Sequence, residues 1–180
     1  MAAEVALDLK GECVADDTEG MKLALALAAE AANAGEVPVG AVIVLDGKVV
    51  GCGSNAPITS LDPTAHAEIN AIRDAATSIG NYRLSGATLY VTVEPCSMCA
   101  GAIVHSRVAR VVFGTTEPKA GVAESAEQFF SKPFLNHRVD IAGGVEADAC
   151  SSIMTAFFAA RRAGKRRLKK ASAADGSASE

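Results

Sequence analysis

Hydrophobic and polar positions recur with two different periods along this chain, and the period distinguishes helices from strands. Strong helix formers over 18–33, followed by Gly35, predict a first helix. Two β-branched runs joined by Asp46-Gly47 predict an antiparallel hairpin. The full pattern predicts strands over 37–45, 48–53, 87–93, 108–114 and 139–141, helices over 18–33, 64–79, 95–106, 126–131 and 146–170, and loops over 55–63 and 115–125.

Strands that alternate with helices predict an α/β fold. We expect a three-layer sandwich in which helices flank a mixed five-stranded sheet. The strand, helix and strand over 87–114 predict a parallel pair within that sheet. An apolar stripe of the final helix is expected to pack on the sheet, and it consists of Ile153, Met154, Phe157 and Phe158.

The predicted elements form one domain over 19–165. We expect residues 1–18 to be a flexible N-terminus and residues 166–180 to be a tail, basic at first and disordered from residue 171. The chain shows no signal peptide, no transit peptide and no run of about 20 apolar residues. We therefore expect a cytoplasmic protein without a membrane segment.

The composition predicts a hydrophobic core, and the charge is distributed unevenly along the chain. The 180 residues are 49% hydrophobic, which is enough apolar material for one buried core. The net charge is −4, but the segment 161–180 contains seven bases and two acids. Such a basic strip can bind a polyanion even on an acidic chain, although a solvated helix end would have the same composition.

Candidate chemistry begins with a pair of cysteines. The chain has five cysteines, an odd number that argues against a disulfide framework in a protein without secretory features. Cys96 and Cys99 are three residues apart at the start of a predicted helix, so both sulfurs can face one point. Together with His66 they suit Zn²⁺ and leave a fourth tetrahedral position open for water. Alone, the two cysteines could also be a redox pair or a structural metal knuckle.

Glu68 follows His66 by two positions at the start of another predicted helix. Without the cysteines these two residues would be an ordinary helix-start pair, because acidic residues are common there. Combined with Pro95-Cys96 and Cys99, they match the signature of zinc-dependent nucleobase deaminases. We expect one zinc ion per chain on His66, Cys96 and Cys99, with Glu68 as the catalytic residue that carries protons.

Further segments resemble the tRNA-specific adenosine deaminases, which belong to the cytidine deaminase-like superfamily. The resemblance covers about 19–165, and its segments, besides the zinc motifs, are Val37-Pro38-Val39-Gly40-Ala41-Val42, Asn81-Tyr82-Arg83-Leu84, the run 93–102 and Asn136-His137-Arg138. It implies a cytidine deaminase-like fold. It also implies hydrolysis of adenosine to inosine at the wobble position of a tRNA, with release of ammonia.

The resemblance also implies substrate contacts. Asn55 matches a position that hydrogen-bonds the purine, and Val39 and Ala67 match positions that line the base pocket. Read from its neighbours alone, Asn55 could instead be a loop asparagine bonded to its own backbone. Contacts to the tRNA anticodon loop are expected from Glu117 and Lys119 in the loop over 115–125, from Asn136, and from Arg161 and Arg162 in the final helix.

Two residues depart from the family pattern, which commonly has Asp at the position of Glu117 and Gly at that of Glu124. Both departures leave the details of the RNA contacts open. The resemblance further implies a homodimer. An alternative function is deamination of a free base or nucleoside, such as guanine or cytosine. A second alternative is a catalytically silent, zinc-stabilised RNA-binding subunit, against which the presence of Glu68 argues.

Overall fold

A computed structural model describes residues 7–176 of the chain. The predicted alternation of strands and helices is present. The elements are α1 (Asp17–Asn33), β1 (Gly40–Leu45), β2 (Lys48–Ser54), α2 (Pro57–Ser60), α3 (Ala67–Ile79), β3 (Thr88–Val93), α4 (Ser97–His105), β4 (Arg110–Thr115), a 3₁₀ turn (Phe129–Ser131), β5 (Asp140–Gly143) and α5 (Ala147–Gly176).

The strands form one mixed sheet in the order β2-β1-β3-β4-β5. The hairpin β1–β2 and the pair β1–β3 are antiparallel, whereas β3–β4 and β4–β5 are parallel. At the centre of the sheet, Val91 is paired with Ala41 on one side and with Phe113 on the other. The predicted antiparallel hairpin, parallel pair and mixed five-stranded sheet are therefore confirmed.

Alternate strand positions face two separate cores, because successive side chains of a strand point to opposite faces. One core packs α3 and α4 on the sheet and includes Ile43, Leu89, Val91, Ile103 and Phe113. The other packs α1 and the start of α5 on the opposite face and includes Met21, Leu27, Val42, Val112 and Cys150. Helices on both faces confirm the expected three-layer sandwich.

Close packing of α3 on β2 explains the glycines of that strand. A Cβ added to Gly51 would lie 2.5 Å from the Ala75 amide nitrogen and 2.6 Å from the Ala71 carbonyl oxygen. Gly53 faces the same helix one turn closer to its N-terminus, where a Cβ would meet the backbone of Ala67. Helix α3 thus rests directly on strand backbone, which fixes the position of its first turn.

Several element boundaries differ from the prediction. The segment 55–63, expected to be a loop, contains the short helix α2 with Pro57 at its first turn, where the fixed φ of proline suits a helix. Helix α3 begins at Ala67 rather than near Thr64, because Asp62 Oδ1 accepts hydrogen bonds from the Thr64 amide (2.8 Å) and hydroxyl (2.7 Å) in a local turn. The expected helix over 126–131 is reduced to the 3₁₀ turn.

The N-terminal segment packs on the fold from residue 7 onward, although a flexible N-terminus was predicted over 1–18. The amide of Gly11 donates to Val49 O (2.9 Å), and the Val49 amide donates to Glu12 O (2.9 Å). Leu9 is buried against the second core. The segment therefore covers the edge of β2, and an edge strand gains protection from such pairing. Residues 1–6 lie outside the described residues.

Helix α5 is longer than expected and continues to Gly176. Residues 171–176, expected to be disordered, are helical, and the alanines of this segment favour that state; residues 177–180 lie outside the described part. The apolar stripe packs only partly on the sheet: Ile153 and Met154 are half-buried, but Phe158 is 39% exposed. Within residues 7–176, no helix has the length and apolar character needed to cross a membrane.

We predict that Gly51→Ala destabilises the protein, because its new methyl group would be forced against the backbone of α3. Overpacking of this kind costs roughly 1–3 kcal/mol, so the urea midpoint should fall. Gly101→Ala is the matched control, since a Cβ at this position of α4 has no neighbour within 4 Å and alanine favours a helix. A Gly51→Ala midpoint equal to the wild type would show that α3 does not rest on the strand backbone as described.

Candidate metal centre and active site

Two helix N-termini meet at the same edge of the sheet and carry the predicted ligands. His66 is the residue immediately before α3 and has an extended backbone (φ −75°, ψ 155°). Cys96 occupies the equivalent position before α4 (φ −80°, ψ 172°), and Cys99 lies in the first turn of that helix. Because β3 leads directly into α4, the end of this central strand determines where the two sulfurs lie.

The three predicted ligands converge. The Nδ1 atom of His66 lies 3.7 Å from Cys96 Sγ and 3.6 Å from Cys99 Sγ. All three ligand atoms lie within 4.8 Å of one another, and no other group of three such donors occurs in the described part of the chain. Cys99 is fully buried. His66 and Cys96 are half-buried and lie in the wall of a cavity that opens beside the cluster. The cluster can hold one metal ion.

Hydrogen bonds inside the cluster shift the pKa values of the two thiols in opposite directions. The hydrogen bond from Cys99 lowers the pKa of Cys96 to about 4, and the same bond raises the pKa of the Cys99 thiol. Hydrogen bonding to Cys96 raises the pKa of the His66 ring. The protein therefore presents a thiolate to an incoming cation, and a coordinated cation deprotonates the second thiol as well.

Glu68 lies in the first turn of α3, beside the cluster, and is only 4% exposed. Burial raises the pKa of its carboxyl to about 7, because a low-dielectric environment disfavours the charged form. The same cavity, with a volume of about 300 Å³, is lined by Glu68, His66, Cys96, Val39 and Asn55. The structure thus brings the predicted proton carrier, two of the predicted ligands and two predicted substrate contacts to one cavity.

Asn55 has a defined role in this wall. Its Oδ1 atom accepts a hydrogen bond from the amide of Ala67 (3.0 Å), the first residue of α3. The oxygen is therefore occupied by the helix N-terminus, and the side-chain NH₂ is the group that can donate to a ligand. The alternative, a bond to its own local backbone, is not what the structure shows.

Ala67 does not line the cavity. Its side chain is fully buried in the core beneath α3, and the structure does not place it among the residues that line the cavity. Helical geometry explains the difference, since adjacent residues of a helix point about 100° apart. His66 and Glu68 border the cavity, while the residue between them faces the sheet.

The expected RNA-contact residues fall into two groups. Glu117 lines the cavity and also an adjoining groove of about 300 Å³, which includes Phe158 and Arg162. The exposed Lys119 is adjacent, and its amide donates to Glu117 Oε1 (3.1 Å). These residues extend the cavity toward the surface of α5.

Asn136 and Arg161 are not brought to this groove. Asn136 lies beyond α4, where its side-chain oxygen accepts from Arg107 Nη1 (2.8 Å). The guanidinium of Arg161 lies over the ring of Phe157, 5.5 Å from its centroid. Within one chain, the structure therefore does not join these two residues to the cavity.

Glu94 is a site residue that sequence reasoning did not single out. It follows β3, is only 3% exposed, and lines the cavity. The sequence did contain an indication of this role. Glu94 lies directly between a predicted buried strand and Pro95-Cys96, where an acidic residue is unusual. Met154 is a second such residue, since it borders both the cavity and the groove.

Comparison with known proteins agrees with this geometry. Residues 15–162 match the family described as MafB19-like deaminase. The fold and the ligand cluster, with its acidic neighbour, define a deaminase. A tRNA-specific adenosine deaminase of Haemophilus influenzae is 49% identical over 151 residues, which cover 83% of this chain and 87% of that protein. The chain belongs to the tRNA-specific adenosine deaminase family.

Solved structures support the same assignment. A tRNA:A34 deaminase, studied for A-to-I editing at the wobble position of transfer RNA, shares 46% identity with a TM-score of 0.74, covering 76% of this chain and 99% of that one. The guanine deaminase of Nitrosomonas europaea has a TM-score of 0.75 at 21% identity, covering 88% of this chain and 97% of that one. The second likeness shows the fold alone, which is the cytidine deaminase-like fold.

We predict that Asn55→Ala lowers the free energy of unfolding by about 1 kcal/mol, the usual effect of removing a side chain that caps a helix N-terminus. Asn55→Asp retains an acceptor for the Ala67 amide and should stay within roughly 0.5 kcal/mol of the wild type. Urea unfolding of the three proteins measures the difference. Equal stability of the wild type and Asn55→Ala would contradict the hydrogen bond to α3.

Proposed function

We propose that this protein deaminates adenosine to inosine at the wobble position of a tRNA. In the net reaction one water replaces the amine at C6 of the purine, and ammonia is released. The observation that carries the proposal is the convergence of His66, Cys96 and Cys99 beside the buried Glu68, in a chain 49% identical to a tRNA-specific adenosine deaminase. A reactive site of this composition suits hydrolysis of a carbon–nitrogen bond.

The metal we propose is Zn²⁺, one per chain. Zinc lies about 2.3 Å from sulfur and about 2.0 Å from nitrogen, so a tetrahedral centre separates these two donors by roughly 3.5 Å. The observed Sγ–Nδ1 distances of 3.7 and 3.6 Å fit this requirement. Two thiolates and one imidazole leave one coordination position free, and when bound the zinc supplies Lewis-acid activation of water.

Glu68 is the proposed catalytic residue. Its carboxylate borders the cavity next to His66 and is shielded from bulk water. A carboxylate in this position can accept one proton from the attacking water and deliver it to the purine ring nitrogen, and it can then carry the second proton, from the new C6 hydroxyl, to the departing amine. The cavity wall contains two other acidic residues, Glu94 and Glu117. Neither belongs to the first turn of α3, where Glu68 lies next to the ligand His66.

The base pocket follows from the same cavity. We propose that Val39 packs against the purine and that the NH₂ group of Asn55 donates to it. A base must leave its stack to enter such a cavity, so the substrate is unpaired or flipped out. The wobble adenosine of an anticodon loop meets this condition.

The proposed RNA surface begins at the groove beside the cavity. Arg162 and Lys119 can neutralise phosphates, Glu117 borders the entrance, and Phe158 offers an exposed aromatic face. Arg161 extends the basic surface along α5. Together these residues suit the strand that flanks a flipped base.

We also propose a homodimer that acts in the cytoplasm. Asn136 lies away from the cavity of its own chain, next to Phe134, which is 72% exposed. An exposed aromatic surface of this kind is typical of protein contacts. In a dimer, Asn136 could serve the RNA surface of the partner subunit.

Glu68→Ala should retain about one zinc per chain but reduce deamination of a tRNA anticodon stem-loop by at least about 100-fold, the usual effect of losing a general acid–base group. Ammonia release and metal analysis measure the two properties. Cys99→Ala is the companion variant and should lose the metal, whereas the exposed Glu127→Gln should match the wild type in both assays. Wild-type turnover by Glu68→Ala would exclude the proposed role.

An anticodon stem-loop with adenosine at the wobble position should be deaminated much faster than free adenosine, guanine or cytosine. The physical reason is that phosphate contacts on the groove contribute to binding only when the base is part of an RNA. The matched control RNA carries the same adenosine within the paired stem and should react poorly. Equal or faster turnover of free guanine or cytosine would favour the alternative, a deaminase of free bases.

A further inference from the structure

One wall of the cavity is formed by a segment without regular secondary structure. Residues 117–125, called the cavity loop here, follow β4 and contribute Glu117 and Ala120 to the lining. Its own backbone bonds are few: the Gly121 amide donates to Glu117 O (2.7 Å), and the Ala126 amide donates to Gly121 O (2.9 Å). The remaining amides of the loop need another acceptor.

Glu94 is the acceptor for four of these amides. Its Oε1 atom accepts hydrogen bonds from the amides of Ala123 (3.0 Å), Glu124 (2.7 Å) and Ser125 (2.9 Å). Its Oε2 atom accepts from the Glu117 amide (2.9 Å) and from the Ser125 hydroxyl. One carboxylate therefore joins both ends of the cavity loop.

The five donors use all the acceptor capacity of this carboxylate, which offers about four lone-pair sites. Among the described residues no lysine or arginine forms an ion pair with Glu94. Its charge is therefore balanced by amide and hydroxyl donors, and such charge-assisted bonds are stronger than neutral ones. With both oxygens engaged, Glu94 is unsuited to carry protons, in contrast to Glu68.

Gly121 shows how closely the loop approaches this group. A Cβ at position 121 would overlap the Glu94 carboxylate. Only glycine at this position leaves room for the Glu94 side chain. The loop is also attached to the segment that carries a metal ligand: Gly121 forms a β-bridge with Cys96, and the Val122 amide donates to Pro95 O (2.9 Å). The loop is thus held against the segment that carries the ligand Cys96.

We infer that Glu94 is a positioning residue that holds the cavity loop in the conformation which completes the base pocket. It acts through the loop and does not touch the reacting atoms. This inference rests on the proposed function for its kinetic consequence, but the effect on the loop itself is independent of any substrate.

The test compares Glu94→Gln with the wild type. Glutamine has the same shape but replaces one acceptor by an NH₂ group that faces amide donors, and the loss of charged hydrogen bonds corresponds to about a 10- to 100-fold effect. We expect KM for the wobble-adenosine stem-loop to rise by that factor, kcat to change less than about threefold, and zinc content to remain. Amide hydrogen exchange over 117–125 should accelerate, while exchange in α3 stays unchanged.

Two further variants make the outcome decisive. Gly121→Ala displaces the same carboxylate from the opposite side and should reproduce the KM defect and the faster loop exchange, even where Glu94→Gln folds poorly. The exposed Glu127→Gln, just beyond the loop, should behave as the wild type. Unchanged loop exchange in both Glu94→Gln and Gly121→Ala would overturn the inference, as would a loss of zinc with a matching fall in kcat. A wild type inactive on every RNA would instead refute the proposed function, with the exchange result still valid.

Discussion

The direct contact between α3 and the backbone of β2 is the constraint on which the site depends. Gly51 and Gly53 leave no side chain between the strand and the helix. The direct backbone contact therefore fixes the distance between the first turn of α3 and the sheet. His66 and Glu68 lie at that turn. The other two ligands depend on the end of β3, and the pairing of β3 with β1 and β4 fixes that end. Four functional side chains are thus positioned by sheet geometry rather than by flexible loops.

Three glutamates are buried in the described chain, and their environments differ. Glu36 accepts the Thr59 amide (2.7 Å) and secures α2 beside the cavity. Glu94 is surrounded by donors from the cavity loop. Glu68 has no comparable set of donors, and burial raises its pKa to about 7. Of the three, only Glu68 combines proximity to the metal ligands with a carboxyl that does not hold another segment in place, which is why we assign the proton transfer to it.

The sequence predicted the fold and the metal cluster well because both depend on local patterns. Cys96 and Cys99 share a helix turn, and a His-x-Glu motif at another helix start is recognisable without coordinates. The burial of the Ala67 side chain in the core was not predicted, because its neighbours line the cavity and the direction of one side chain depends on where the helix starts. The role of Glu94 was not predictable either, since its donors are 23 to 31 positions further along the chain. Nothing in the local pattern indicates that these segments meet.

Substrate choice must come from the walls of the cavity and not from the ligand cluster itself. The guanine deaminase of Nitrosomonas europaea has the same fold at 21% identity, so the fold by itself does not select a base or distinguish a nucleotide in RNA from a free base. The cavity loop and α5 form the walls that meet at the groove lined by Glu117, Met154 and Arg162. The loop has little internal support and relies on Glu94, whereas Phe158 and Arg162 lie on an exposed helix surface. Selectivity therefore depends on how firmly the loop is held beside the groove, which is the surface proposed to bind RNA.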